Sequence, residues 1–442
     1  MRDWFYRVTV GLMLLSLIGC AGADTGPEGE PGPGVDIAYA QSDEERVTSP
    51  DVTDEQLNAL IEGNRTFAFN LYRQLREEKD GNIFYSPYSI SVALAMTYAG
   101  AAGETEQQMA DALHFQLPQD ELHPAFNHLD LLLESRAESD EGNENGEGED
   151  DKDFRLHITN ALWGQKDYGF LDDFLDTLAR NYGAGMRLVD FASAPEAARL
   201  RINEWVSEQT EGRIEDLIPS GAIDTLTRLV LTNAIYFNAA WAQPFEEENT
   251  EDGTFTLLDG SEVTVPMMHQ TTNYGYATSD DVQLVELPYD GGKLSMVILL
   301  PDEGSFEAFE ADLTAERIDA LLSELSYRRV ALEMPKFEFE SEFGLTDTLR
   351  EMGMPIAFSS DANFSGMTGD RDLFITDVVH KAFVSVDEEG TEAAAATAVM
   401  MGRTSLPEEP VEVSLDRPFL FGIRDRETGA LLFFGRMMEP SS

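Results

Sequence analysis

Helical periodicity fills the first half of this chain and β-rich runs fill the second. Nothing between them is long enough to make two domains. Apolar residues at helical spacing predict helices over 55–77, 86–100, 105–113, 124–133, 170–182 and 195–210. Runs bounded by turn residues predict strands over 226–237, 253–257, 282–287, 294–300, 330–339, 378–387, 411–415, 419–424 and 431–436. A doubly wound fold would interleave the two kinds of element. Segregating them in one long domain, here 56–442, calls for an α+β fold. With 42% hydrophobic and 10% aromatic residues the core is large, so a wholly disordered chain is ruled out despite the charge.

That charge excludes several functions. Thirty Lys and Arg face 83 Asp and Glu, a net −53, which repels nucleic acid before contact. Only six of the basic residues are lysine, and an acidic, lysine-poor surface suits a protein bathed in salt. The single cysteine, Cys20, forms no internal disulfide and no Cys–His zinc site.

Arg2 and Arg7 precede an apolar run over 8–18, too short to span a bilayer. The run ends in Leu17-Ile18-Gly19-Cys20, which resembles a bacterial lipoprotein box. The expectation is a signal peptide over 1–19, a lipid on Cys20 and a Gly/Pro-rich disordered tether over 20–55. The protein is then secreted and held at the cell surface or outer membrane, touching membrane through that anchor alone. An acidic insertion is expected over 134–153. Glu141, Asn143, Asn145 and Gly146 imitate the start of a calcium loop, but Lys152 stands where its bidentate glutamate belongs.

Catalytic signatures are missing from the sequence. There is no Gly-x-Ser-x-Gly elbow, His-Glu-x-x-His helix or phosphate-binding Gly-Lys loop. His123 and His128 are badly spaced for a metal. Ser86 or Ser89 with His380 sketches a triad, yet all three lie in apolar runs where a buried, satisfied histidine is the commoner arrangement. The expectation is no enzyme, no metal and no cofactor.

One segment carries a different chemistry. After the strand at 378–387 comes Glu388-Glu389-Gly390-Thr391-Glu392, four alanines at 393–396, then Thr397-Ala398-Val399. Four alanines ordinarily make a helix turn. Following a strand and a glycine pivot, they instead resemble the hinge of a serpin reactive-centre loop. Asn82 to Ile90, Leu231 to Trp241 with Pro244-Phe245, Val379-His380-Lys381-Ala382 and Asp416 to Phe421 resemble serpin motifs in the family's order. The resemblance covers nearly all of 56–442.

It implies the serpin fold, with about nine helices, three β-sheets and an exposed reactive-centre loop over 388–410. It implies a suicide-substrate inhibitor of serine, and by extension papain-like cysteine, endopeptidases, acting as a monomer in a covalent complex. The alternative is a noninhibitory serpin that binds a ligand or partner. A loop that becomes a strand needs alternate side chains small enough to pass into the core, and Thr391, Ala393, Ala395 and Thr397 make that set. By resemblance Ser86, Ser89, Asn233 and His380 form a polar shutter under the sheet, Trp241 packs at its breach, and Glu388 pairs with Lys336. Spacing from Glu388 puts the scissile bond at Thr404–Ser405, while Arg403–Thr404 would suit a trypsin-like pocket. Both remain open.

Overall fold

Helix Pro87–Tyr98 sits at the centre of the molecule. Ser86 caps it by accepting the Ser89 amide at 3.1 Å, and Pro87 supplies the fixed φ of a first turn. Eleven of its twelve residues are buried, because it lies between two sheets rather than on a surface. The computed structural model describes residues 37–138, 155–391 and 409–440. Ten α-helices lie among them, against about nine expected, together with sixteen strands, and the α+β class holds.

The first sheet has seven strands, in the order Ala38–Ala40, Met186–Val189, Arg155–Gln165, Leu229–Ala240, Gly390–Thr391, Asp377–Val386 and Phe337–Gly344. Helix Pro87–Tyr98 packs on one face of it. Helix Pro195–Gln209 covers the other, with Ile202, Trp205 and Val206 set against Trp163, Val230 and Val379 in a core of their own. The remaining nine strands form one hydrogen-bonded set. What the resemblance counts as a second and a third sheet are joined by the 17-residue strand Glu262–Thr278. Its early residues pair with Glu251–Thr256 and its last four with Val282–Pro288.

Several sequence readings need correction. The run at 330–339 is two strands, Ser326–Pro335 and Phe337–Gly344, in different sheets. Pro335 has no amide to continue a ladder, and Lys336 turns the chain, its N–H reaching Pro266 O at 3.0 Å. The tether does not extend to residue 55. Residues 38–40 add a strand to the sheet edge, and Thr53 with Gln56 forms the capping box of helix Asp54–Glu78. The acidic insertion does not start at 134, because helix Gln119–Glu138 runs through its first five residues. Its charges are matched there: Arg46 holds Glu134 at 2.7 Å, and Arg136 reaches Asp425 at 3.0 Å. The rest of the insertion, the signal segment and Cys20 lie outside the described residues.

Candidate functional site

The centre of the seven-stranded sheet is a seam. Strands Leu229–Ala240 and Asp377–Val386 run parallel, in register from Val230 with Asp377 to Ile235 with Ala382. Above that point they part. The chain leaving the second strand turns back at 387–390 and enters the gap, so that Gly390 faces Ala240 and Thr391 faces Ala239. Asp387 ties this turn, its Oδ1 accepting the amides of Glu389 at 2.9 Å and Gly390 at 3.2 Å. A Cβ on Gly390 would stand 2.2 Å from Ala239 O, so only glycine allows the approach.

Thr391 is buried, at 1% exposure, with its hydroxyl 2.8 Å from Tyr289 Oη. Tyr289 stacks on Trp241 at 4.7 Å between centroids, and Trp241 Nε1 donates to Asp387 O at 3.0 Å. The Trp241 amide also donates to Glu389 O at 2.8 Å. Glu388, 6% exposed, takes Lys336 Nζ at 2.6 Å and the Thr250 hydroxyl at 2.6 Å. Burial alone would raise its carboxyl, but these two donors outweigh burial and hold it below the ordinary value. The position of Lys336 follows from its role as the crossing residue between sheets.

Below the breach a polar latch spans the seam. Ser86 N–H donates to His380 Nε2 at 3.2 Å, and Ser86 Oγ donates to Leu432 O at 2.7 Å. Because Nε2 accepts, the ring proton is on Nδ1, which donates to Asn233 Oδ1 on the facing strand. Asn233 Nδ2 then donates to Ser89 Oγ and to Asn160 Oδ1, and Ser89 Oγ donates to Asn160 at 3.0 Å. Complete burial pushes the His380 pKa down to about 3, which keeps the ring neutral.

The structure therefore brings Ser86, Ser89, Asn233 and His380 into one network, and Trp241, Lys336, Glu388, Gly390 and Thr391 into another above it. Ala393, Ala395, Thr397, Arg403, Thr404 and Ser405 lie outside the described residues. Sequence reading missed Asn160, Tyr289, Thr250 and Asp387. Asn160 lies in a strand behind the acidic run, where polar–apolar alternation holds only over Arg155-Leu156-His157-Ile158-Thr159 and breaks at Asn160 itself.

A parallel seam with a strand already turned back into its mouth, and a hydrogen-bond latch beneath, defines a class of protein that can accept its own loop as a further strand. The family model described as "Serpin (serine protease inhibitor)" matches residues 62–440. The chain is 42% identical to the leukocyte elastase inhibitor of Sus scrofa, over 87% of this chain and all of that protein. It is 41% identical to an uncharacterized serpin-like protein of Thermococcus kodakarensis, over all of this chain and 99% of that one. The solved structure of human thyroxine-binding globulin complexed with thyroxine superposes with a TM-score of 0.75 at 33% identity, over 88% of this chain and 100% of that one. The chain belongs to the serpin family.

Proposed function

We infer that this protein inhibits serine endopeptidases, and by extension papain-like cysteine endopeptidases, as a suicide substrate. The seated hinge carries the reading. Gly390–Thr391 already occupies the first two positions of a new strand, and the next inward positions of the alternation, Ala393, Ala395 and Thr397, carry nothing bulky. The protease serine Oγ would attack the carbonyl of Arg403 or Thr404 and form an ester. The peptide C–N bond breaks, and the new amine leaves with a proton from the protease histidine. Freed at one end, the loop continues down the seam. About fourteen residues at about 3.3 Å each would carry the esterified protease about 45 Å before water hydrolyses the ester. Insertion replaces the single seam ladder with two, which supplies the driving force. The chain is consumed rather than turning over, so it is not a catalyst.

A noninhibitory, ligand-binding role has the likeness to a thyroxine-bound globulin behind it. The apolar recess among Phe69, Leu299, Leu322 and Phe434 holds about 30 Å³, while the polar cleft lined by Tyr276, Ser326, Arg329 and Val411 holds about 390 Å³, within the about 300–1,000 Å³ of small-ligand sites. The seated hinge, not cavity size, makes inhibition the better reading. The box ending at Cys20 supports a lipid anchor outside the cell. Because residue 38 is in the sheet, the chain between it and Cys20 would span at most about 60 Å. Incubation with trypsin and with elastase, followed by denaturing electrophoresis, tests the function. An adduct near the summed mass is expected, and loop nicking without adduct would assign the noninhibitory role.

A further inference from the structure

For the seam to take a strand, everything on one side of it must move sideways by about 4.8 Å, the spacing of neighbouring strands. The moving side holds strands Leu229–Ala240, Arg155–Gln165 and Met186–Val189, which are hydrogen-bonded in sequence. Helix Pro195–Gln209 is packed on them. The helical body behind them is built differently. Helix Gln119–Glu138 packs on helix Asp54–Glu78, which packs on strand Leu431–Met437 of the other sheet.

Residues 38–47 bridge the two. At one end Ala38–Ala40 pairs antiparallel with Met186–Val189, extending the moving edge. Tyr39 lies 5.6 Å from the Arg187 guanidinium, which stands 4.1 Å over Trp205 of helix Pro195–Gln209 and 5.9 Å from Trp163. Arg187 Nε is buried without a hydrogen-bond partner, so these rings are the main company of that cation. At the other end Arg46 forks into helix Gln119–Glu138. It reaches Asp130 at 2.5 Å, Glu134 at 2.7 Å and Asn127 Oδ1 at 2.9 Å. Asn127 Nδ2 donates back to Val47 O at 2.7 Å, and Val47 N–H donates to Arg180 O of helix Asp172–Tyr182 at 2.9 Å.

We propose that residues 38–47 are a strap that ties the moving edge of the seven-stranded sheet to helix Gln119–Glu138 of the stationary body and so sets how readily the seam opens. A sideways step of one strand spacing exceeds the play of any hydrogen bond, so opening must either straighten residues 41–45 or release the 38–40 pairing or the Arg46 fork, each at a cost to the open state. The strap rests on the loop-insertion reading for its purpose, but its mechanical claim stands or falls separately.

The test is amide hydrogen exchange in the full-length chain, comparing wild type with Arg46→Ala and with Tyr39→Ala. Exchange at 230–235 and 377–382 reports seam opening whether or not the loop ever inserts. Both variants should speed exchange there by about tenfold or more, leaving 294–301 and 419–425 of the other sheet at wild-type rates. Arg317→Ala, which breaks surface pairs with Asp281 and Asp312, should leave the seam unchanged. Seam exchange at the wild-type rate in both strap variants would overturn the proposal. So would equal acceleration in the two sheets, which would mean general destabilisation. A wild-type protein that forms no protease adduct, yet whose seam loosens in the strap variants, keeps the strap and loses only the inhibition reading.

Discussion

His380 is the residue whose protonation state matters most to the latch. Its Nε2 already accepts the Ser86 amide, so a second ring proton would set donor against donor. The folded pKa of about 3 lies below the usual 6.5 of an unfolded histidine. Full stability from this group is therefore present above about pH 6.5 and is lost progressively as pH falls toward 3, by about 1.4 kcal/mol per pH unit. His380→Gln should flatten the slope of unfolding free energy against pH between 6.5 and 5 by about one proton. An unchanged slope would mean that the ring titrates normally. At the hinge, Lys336→Ala strands a carboxylate that is 6% exposed. The lysine itself is 38% exposed, so solvent softens the loss to about 1–2 kcal/mol, measurable by urea unfolding. Thr391→Arg would press a charge against Tyr289 and Trp241, and titration against a trypsin-like protease should show it turning from inhibitor to substrate. Wild-type stoichiometry would place the inward face of the loop elsewhere.

The seam and the hinge turn decide the behaviour of the elements. Asn233 links the facing strands through His380 and also serves Ser89 and Asn160. Asn233→Ala would leave the His380 Nδ1–H unpaired in the core, a loss of about 2–3 kcal/mol that urea unfolding should show. The same variant should insert its loop faster on warming without protease. Helices were legible in the sequence where one face alternates with solvent, as in Asp54–Glu78, and where Ser86-Pro87 marks a start. Strand Arg155–Gln165 was not, because its polar–apolar alternation ends at Thr159, after which Asn160 and the apolar Ala161-Leu162-Trp163 break the period. Nor was the docking of residues 38–47. Tyr39 and Arg46 find partners more than eighty residues away, which no local pattern announces. The polar latch showed in sequence as Ser, Asn and His within apolar runs, and it was the family resemblance that joined them. Asp387 and Tyr289 act through a turn and a stack that exist only once the chain folds back.

The net charge of −53 acts on the whole molecule. Self-repulsion at this level is felt across the surface at low ionic strength, where the screening length is about 30 Å at 0.01 M, and fades at about 3 Å in 1 M salt. The thermal midpoint of the native protein should therefore rise with sodium chloride over that range, and a flat response would mean that self-repulsion contributes little to its stability. The central claim is that a protease becomes trapped through its ester to this chain's loop. Intact-mass spectrometry of the denatured reaction with a trypsin- or elastase-like enzyme measures that directly. The account predicts a species equal to protease plus chain, less a released C-terminal peptide that begins at Thr404 or Ser405. A chain cut at that bond with free, active protease and no such species would contradict it.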